Sequence, residues 1–219
     1  KNICYPALKD GNIFELREGK EISQKLYKSG IIYLKDIPQE TELLYKQAIQ
    51  VECEKTASPH VATGEIESFL KKVSYPLYFL DFETINPALP FFKNTKPFQH
   101  IPIQYSLHVK KSPNSQLEHF SFLAKGKSDP RKNILKNLSR LISLSGKVVV
   151  YDAFFERRVF VESVSLFPEF REWWSDVSQN ILDISIPFKS FHYYHPLQKG
   201  RASLKAVLPA LTGHNYDGL

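Results

Sequence analysis

Asp81 and Glu83 are the residues of this chain best suited to chemistry. They close the run Tyr75-Pro-Leu-Tyr-Phe-Leu-Asp81-Phe-Glu83-Thr-Ile-Asn-Pro87. Leu77 to Phe82 is short and almost wholly apolar, opened by Pro76 and closed by Asn86-Pro87, the pattern of a strand buried on both faces. Residues two apart on a strand project from the same face, so the two carboxylates stand side by side. Unpaired charge is costly to bury, and two like charges repel. A cation between them removes both costs, and hard oxygen donors suit Mg²⁺ or Mn²⁺.

Further acids close other apolar runs. Lys147-Val-Val-Val-Tyr151 reads as a second buried strand, and it leads directly into Asp152 and Glu156 at the start of a helix. Asp183 sits in the short apolar stretch Asn180–Ser185. In open α/β sheets, sites form at the carboxyl ends of strands. If the strands ending in Asp81 and Tyr151 are neighbours, acids from distant parts of the chain converge on one edge, as two-metal phosphoryl chemistry requires. Each acid also has a plainer reading. Asp152 fits a helix N-cap, Glu156 gains from the helix dipole alone, and Asp183 suits a supporting role behind the ligands.

The elements that must position these groups follow from periodicity. Residues 1–73 read as a small, mainly helical lead-in: helices over 18–29, 40–55 and 63–73, an apolar run at 31–37, and a linker near 56–63. Residues 74–219 change texture. Ile101–Val109 and Leu117–Leu123 alternate and read as strands joined by a turn at Pro113-Asn-Ser115. Helices are expected from Asp129-Pro130 to before Gly146, after Asp152, over 167–177 and over 203–211. Three meandering strands, a helix, a parallel-type strand and more helices describe a mixed α/β sheet with helices on its faces. Gln104 alternates onto one strand face and could see the acidic edge. Trp173-Trp174 reads as core or interdomain packing.

The 219 residues are 42% hydrophobic and 24% charged, an ordinary globular composition. No stretch has the apolar length of a membrane span, so no membrane partner is expected. Two distant cysteines, Cys4 and Cys53, fit neither a zinc site nor a disulfide framework and point to a reducing cytoplasm; Cys4 reads as a lone thiol or as the remnant of an upstream metal site. The net charge of +6 comes in clusters such as Lys125–Lys132, Arg157-Arg158 and Lys199–Lys205. That suits a polyanion, though it is equally a solvated basic surface. The absence of any Met is expected of a piece of a longer protein.

These motifs resemble the DEDD exonucleases, DnaQ-like enzymes with an RNase H-like fold. Asp81-Phe-Glu83-Thr84 is similar to their first motif. Val148-Val-Val-Tyr-Asp152-Ala-Phe-Phe-Glu156 is similar to their second, with Glu156 in place of the metal-binding aspartate and Asp152 in place of an asparagine. Asp183 falls where those enzymes often carry a later acid, and Ala202-Ser203-Leu-Lys205-Ala-Val-Leu208 resembles the helix before their last motif. That last motif, a His or Tyr base before a final aspartate, has no match: His214 precedes Asp217 too closely, and the final acid is expected beyond Leu219.

Residues 75–219 also resemble an uncharacterised bacterial family in which such a domain follows a RecB-like nuclease domain, with Tyr193-Tyr194-His195-Pro196-x-x-Lys199-Gly200 as a characteristic segment. The resemblance implies an RNase H-like domain over 74–219 and a 3′–5′ exonuclease acting on a single-stranded end. Its two metals would be held by Asp81, Glu83 and Glu156, with Asp183 as a further catalytic acid or an acid beyond Leu219 completing the set. Thr84, Tyr194, His195, Lys199, Ser203 and Lys205 would contact nucleic acid. For Tyr193, Tyr194 and His195 the default reading is an aromatic loop packed on the core; the alternatives are stacking on bases or, for one of them, a general base. The alternative is a non-catalytic module that binds nucleic acid for an attached nuclease domain.

Overall fold

Two of the expected strands, those leading to Asp81 and to Tyr151, lie side by side and parallel. The computed structural model describes residues 8–214, which fall into two compact units: residues 70–184, and residues 8–69 together with 185–214. The sequence reading divided the chain once, near residue 73; by contact, the last segment clusters with the first.

Residues 70–184 form a mixed α/β domain. Within the chain-order series β1–β7 and α1–α8, it holds β2 (Leu77–Ile85), β3 (Ile101–Lys110), β4 (Leu117–Leu123), α4 (Arg131–Leu141), β5 (Lys147–Val150), α5 (Ala153–Leu166), α6 (Arg171–Gln179) and β6 (Ile181–Asp183). The sheet order is β4-β3-β2-β5-β6. β2, β3 and β4 are an antiparallel meander, while β5 and β6 run parallel to β2. Parallel neighbours need a crossover, and α5 with α6 supplies it between β5 and β6. The mixed sheet flanked by helices is therefore present as expected.

One face of this sheet carries the core. Tyr78, Leu80 and Phe82 of β2 join Tyr105, Leu107, Val148 and Val150, and α4, α5 and α6 contribute Leu138, Phe160 and Trp174. Phe160 lies edge-on to Phe82 with ring centres 5.1 Å apart and stacks on Trp174 at 4.4 Å. Trp173 donates its indole N–H to the Ile142 carbonyl at 3.3 Å. The tryptophan pair is thus core packing. Gly146 has φ +83°, and a Cβ there would come within 2.0 Å of the Pro76 carbonyl oxygen. Only glycine lets the chain enter β5 at that approach.

The expectation that β2 is buried on both faces is not met. Phe79, Asp81 and Glu83 alternate outward and are exposed, while Tyr78, Leu80 and Phe82 point into the core. An apolar residue on the outward side hides the alternation, and Phe79, 39% exposed, does so here.

The other unit contains α1 (Lys20–Lys28), α2 (Tyr45–Thr56), β1 (His60–Val61), most of α3 (Thr63–Leu70), α7 (Ile186–Lys189), β7 (Tyr193–Tyr194) and α8 (Leu204–Thr212). Ile13, Leu16, Leu34, Ile37 and Val51 form its main cluster. The fully buried Gln50 ties that cluster together, accepting from the Arg17 N–H at 2.7 Å and donating to the Glu15 carbonyl at 2.9 Å. The stretch 56–63, expected to be a linker, holds β1, which pairs antiparallel with Tyr193-Tyr194. A two-residue strand has no periodicity to betray it.

Candidate active site

β2, β5 and β6 run parallel, and α/β sheets place ligands toward the carboxyl ends of such strands. Asp81 and Glu83 lie inside β2, just beyond its last pair with β5 (Phe79–Val149), Asp152 and Glu156 follow β5, and Asp183 ends β6. On β2, Asp81 and Glu83 share the exposed face. Partial desolvation, with the Glu83 charge beside it, raises the Asp81 pKa above the ordinary carboxylate value. The register with β3 slips between Glu83, opposite Gln104, and Thr84, opposite Pro102. Such bulges re-aim side chains beside functional sites. Gln104 therefore lies level with Glu83. Thr84 Oγ1 lies 2.9 Å from His100 Nδ1, and the His100 ring stands edge-on to Phe155 at 5.2 Å. His100 thus spans the end of β2 and the first turn of α5. The sequence does not single it out, because nothing in residues 86–100 marks which side chain returns to the sheet.

Past β5, Asp152 takes the N-cap position of α5 with a left-handed backbone, φ +77°, and its side chain makes no capping hydrogen bond. The capping role expected of it passes to Asp183. From the end of β6, Asp183 Oδ1 accepts the Asp152 N–H at 3.1 Å and Oδ2 accepts the Ala153 N–H at 2.9 Å. A carboxylate there satisfies orphan amides and complements the helix dipole. Both oxygens of Asp183 serve the backbone, which makes it a positioning residue for α5. Asp183→Ala is expected to cost roughly 1–3 kcal/mol, and Asp183→Asn less, in urea unfolding at pH 7.

Glu156, in the first turn of α5, is only 3% exposed. Its Oε2 is buried without a hydrogen-bond partner. Burial, then repulsion from Asp81 and Asp152, pushes its pKa up to about 8. The charges of Asp81 and Asp152 therefore reach Glu156, as neighbouring strands β2 and β5 allow. Among the described residues, however, no three His, Cys, Asp or Glu side chains are gathered into a group that could hold a metal ion. The donor set is chemically right for a hard divalent cation, and the orphaned Oε2 offers it an oxygen. The carboxylates are nevertheless not drawn into a closed cage.

The expected nucleic-acid contacts fare differently from one another. Thr84 lies beside the acids, paired to His100. Tyr194, His195, Lys199, Ser203 and Lys205 belong to the other unit. Tyr194 is fully buried, stacked on Phe191 at 4.5 Å, with its hydroxyl accepting the Gly200 N–H at 3.0 Å; burial raises its pKa. A ring so enclosed has no free face, which corrects the reading of Tyr194 as a base-stacking residue. His195 Nδ1 accepts the Leu197 N–H at 3.1 Å, and Lys199 pairs with Asp10 at 2.7 Å. Ser203 and Lys205 are exposed. Cys53 is a buried free thiol, while Cys4 and Asp217 lie outside the described residues.

Together these features define an α/β domain with a carboxylate-bearing edge toward the carboxyl ends of three parallel strands. Residues 78–203 match the family model described as a domain of unknown function, DUF2779, and the chain belongs to that family. No curated protein matches it. Among the described residues, no helix is long and apolar enough to cross a membrane.

Proposed function

We propose that the chain is a divalent-metal-dependent nuclease that hydrolyses phosphodiester bonds at a single-stranded 3′ end. The observation that carries this reading is Glu156. A buried carboxyl with an orphaned oxygen, within reach of the charges of Asp81 and Asp152, costs stability unless a cation or a proton offsets it. Asp81, Glu83 and Glu156 would hold Mg²⁺ or Mn²⁺, as the resemblance to DEDD exonucleases implies. Bound divalent ions supply Lewis-acid charge to the phosphoryl oxygens and lower the pKa of a water. The chain's own residues do the rest. Asp183 fixes the α5 start, α5 presents Glu156, and a proton on Glu156 below about pH 8 keeps the acids from repelling one another apart. The Thr84–His100 pair, next to the bulge, would contact the substrate, and its hydrogen bond supports that role.

The test is cleavage of end-labelled single-stranded DNA and RNA with Mn²⁺, comparing the wild type with Asp81→Ala. Metal-dependent shortening from one end, lost in the variant, supports the reading. A second reading, a non-catalytic nucleic-acid-binding module, is favoured by the absence of a three-donor group among the described residues. Equal, salt-sensitive binding by both proteins without cleavage by either would establish it. A RecB-like nuclease domain upstream in the same polypeptide belongs to this proposal on the strength of the resemblance, and the buried thiol of Cys53 suits a cytoplasmic setting.

A further inference from the structure

The face of β2–β4 that carries Phe79, Asp81 and Glu83, exposed or half-buried except at the buried Leu77, is ordered in rows by the strand register. Leu77, Lys110 and Leu117 make the first row; Phe79, His108 and His119 the second; Asp81, Ser106 and Ser121 the third; Glu83, Gln104 and Leu123 the fourth. Rows lie two residues apart along the strands, about 7 Å. The second row is three rings abreast. His108 and His119 stack at 4.2 Å, His119 Nε2 is held 3.0 Å from Ser106 Oγ, and Phe79 stays 39% exposed beside them. Tyr75 joins the first two rows around a cavity of about 550 Å³, lined also by Leu77, Phe79, His108, Lys110 and Leu117.

From this arrangement we infer that the open face is a track for a single nucleic-acid strand, with Phe79 and the histidine pair stacking bases one row before the carboxylates. The inference rests on the nucleic-acid reading above and adds the path of the substrate. A ligand that suits all four rows needs flat apolar faces for the rings. It also needs an anionic backbone, near Lys110 at one end and carried to the acids at the other. A polynucleotide with unpaired bases has both, whereas a duplex hides its base faces in its own stack. Aromatic residues on an exposed antiparallel sheet bind bases in this way without reading sequence. The row spacing carries the chain from ring to carboxylate in about one nucleotide.

Fluorescence anisotropy of the full chain with a labelled 12-nucleotide oligothymidylate, in EDTA and low salt, tests the track apart from catalysis. Phe79→Ala is expected to weaken binding about tenfold or more. Phe79→Trp should keep or tighten it, an outcome that a purely structural role for the ring would not give. Melting curves confirm that both variants fold. Three results overturn the inference: no binding by the wild type, unchanged affinity in Phe79→Ala and Phe79→Ala/His108→Ala, or a change confined to self-association in size-exclusion chromatography, which marks the face as a protein interface. The two proposals fail separately. Phe79-dependent binding with no cleavage in Mn²⁺ keeps the track and removes the nuclease. Cleavage with a KM indifferent to Phe79 keeps the nuclease and removes the track.

Discussion

Glu156→Gln is expected to stabilise the protein, and to do so increasingly as pH rises. The carboxyl titrates near 4.5 when unfolded and near 8 when folded. Between those values the unfolded chain has released this proton while the folded chain keeps it, so unfolding releases a proton and stability falls with rising pH. Across that window the wild type should lose on the order of 4 kcal/mol. Asp81, also raised by desolvation and by Glu83, adds a loss of the same sign at lower pH. Glutamine keeps the shape and carries no charge, so the slope should flatten and the variant should exceed the wild type most at pH 8. Part of the gain is returned because a buried amide also needs hydrogen-bond partners, which leaves an expected difference of roughly 2–3 kcal/mol. Urea unfolding at pH 5, 6, 7 and 8 measures it. Parallel slopes for the two proteins would mean that Glu156 holds no proton in the fold and that its burial is compensated some other way.

The parts of this molecule legible from sequence are those with long periodic signals. β3 and β4 alternate over many residues, α4 and α5 have clear starts, and their positions follow. The parallel pairing of β2 with β5 was only a condition in the sequence reading, because sheet order depends on which faces bury together, and no local pattern encodes that. Several departures from the sequence reading share a cause. Phe79 looks like a core residue but faces outward, residues 56–63 look like a linker but hold β1, Tyr194 takes the core-packing reading rather than the base-stacking one, and Asp152 takes the expected N-cap position while Asp183 supplies the capping hydrogen bonds. In each case residue type was informative and environment was not, because the environment is supplied by chain segments tens of residues away. The acids drew notice on the premise that carboxylates ending apolar strands are buried and costly without a partner, yet Asp81 and Glu83 face outward and the buried carboxyl is Glu156, whose burial α5 packing decides.

Divalent metal should act on the same proton. If Asp81, Glu83 and Glu156 are its donors, binding requires Glu156 to ionise, so metal competes with the proton and binds more tightly as pH approaches 8. Mn²⁺ at about a hundred times its dissociation constant would stabilise the fold by about 2.7 kcal/mol. For a chain of this size that is a rise in Tm of roughly 5–10 °C. The shift should be large at pH 8, small at pH 6, and absent in Asp81→Asn and Glu156→Gln. Gln at position 156 would then give opposite results in the two experiments, a more stable protein without metal and one indifferent to it. Cleavage should fall in Asp81→Asn by at least roughly 10²–10³-fold, the scale of losing one electrostatic contact to a developing charge. A Tm rise of equal size at both pH values, or one that survives both substitutions, would put the metal elsewhere on the protein. The carboxylate edge would then be a strained structural feature, and the binding-module reading would take precedence.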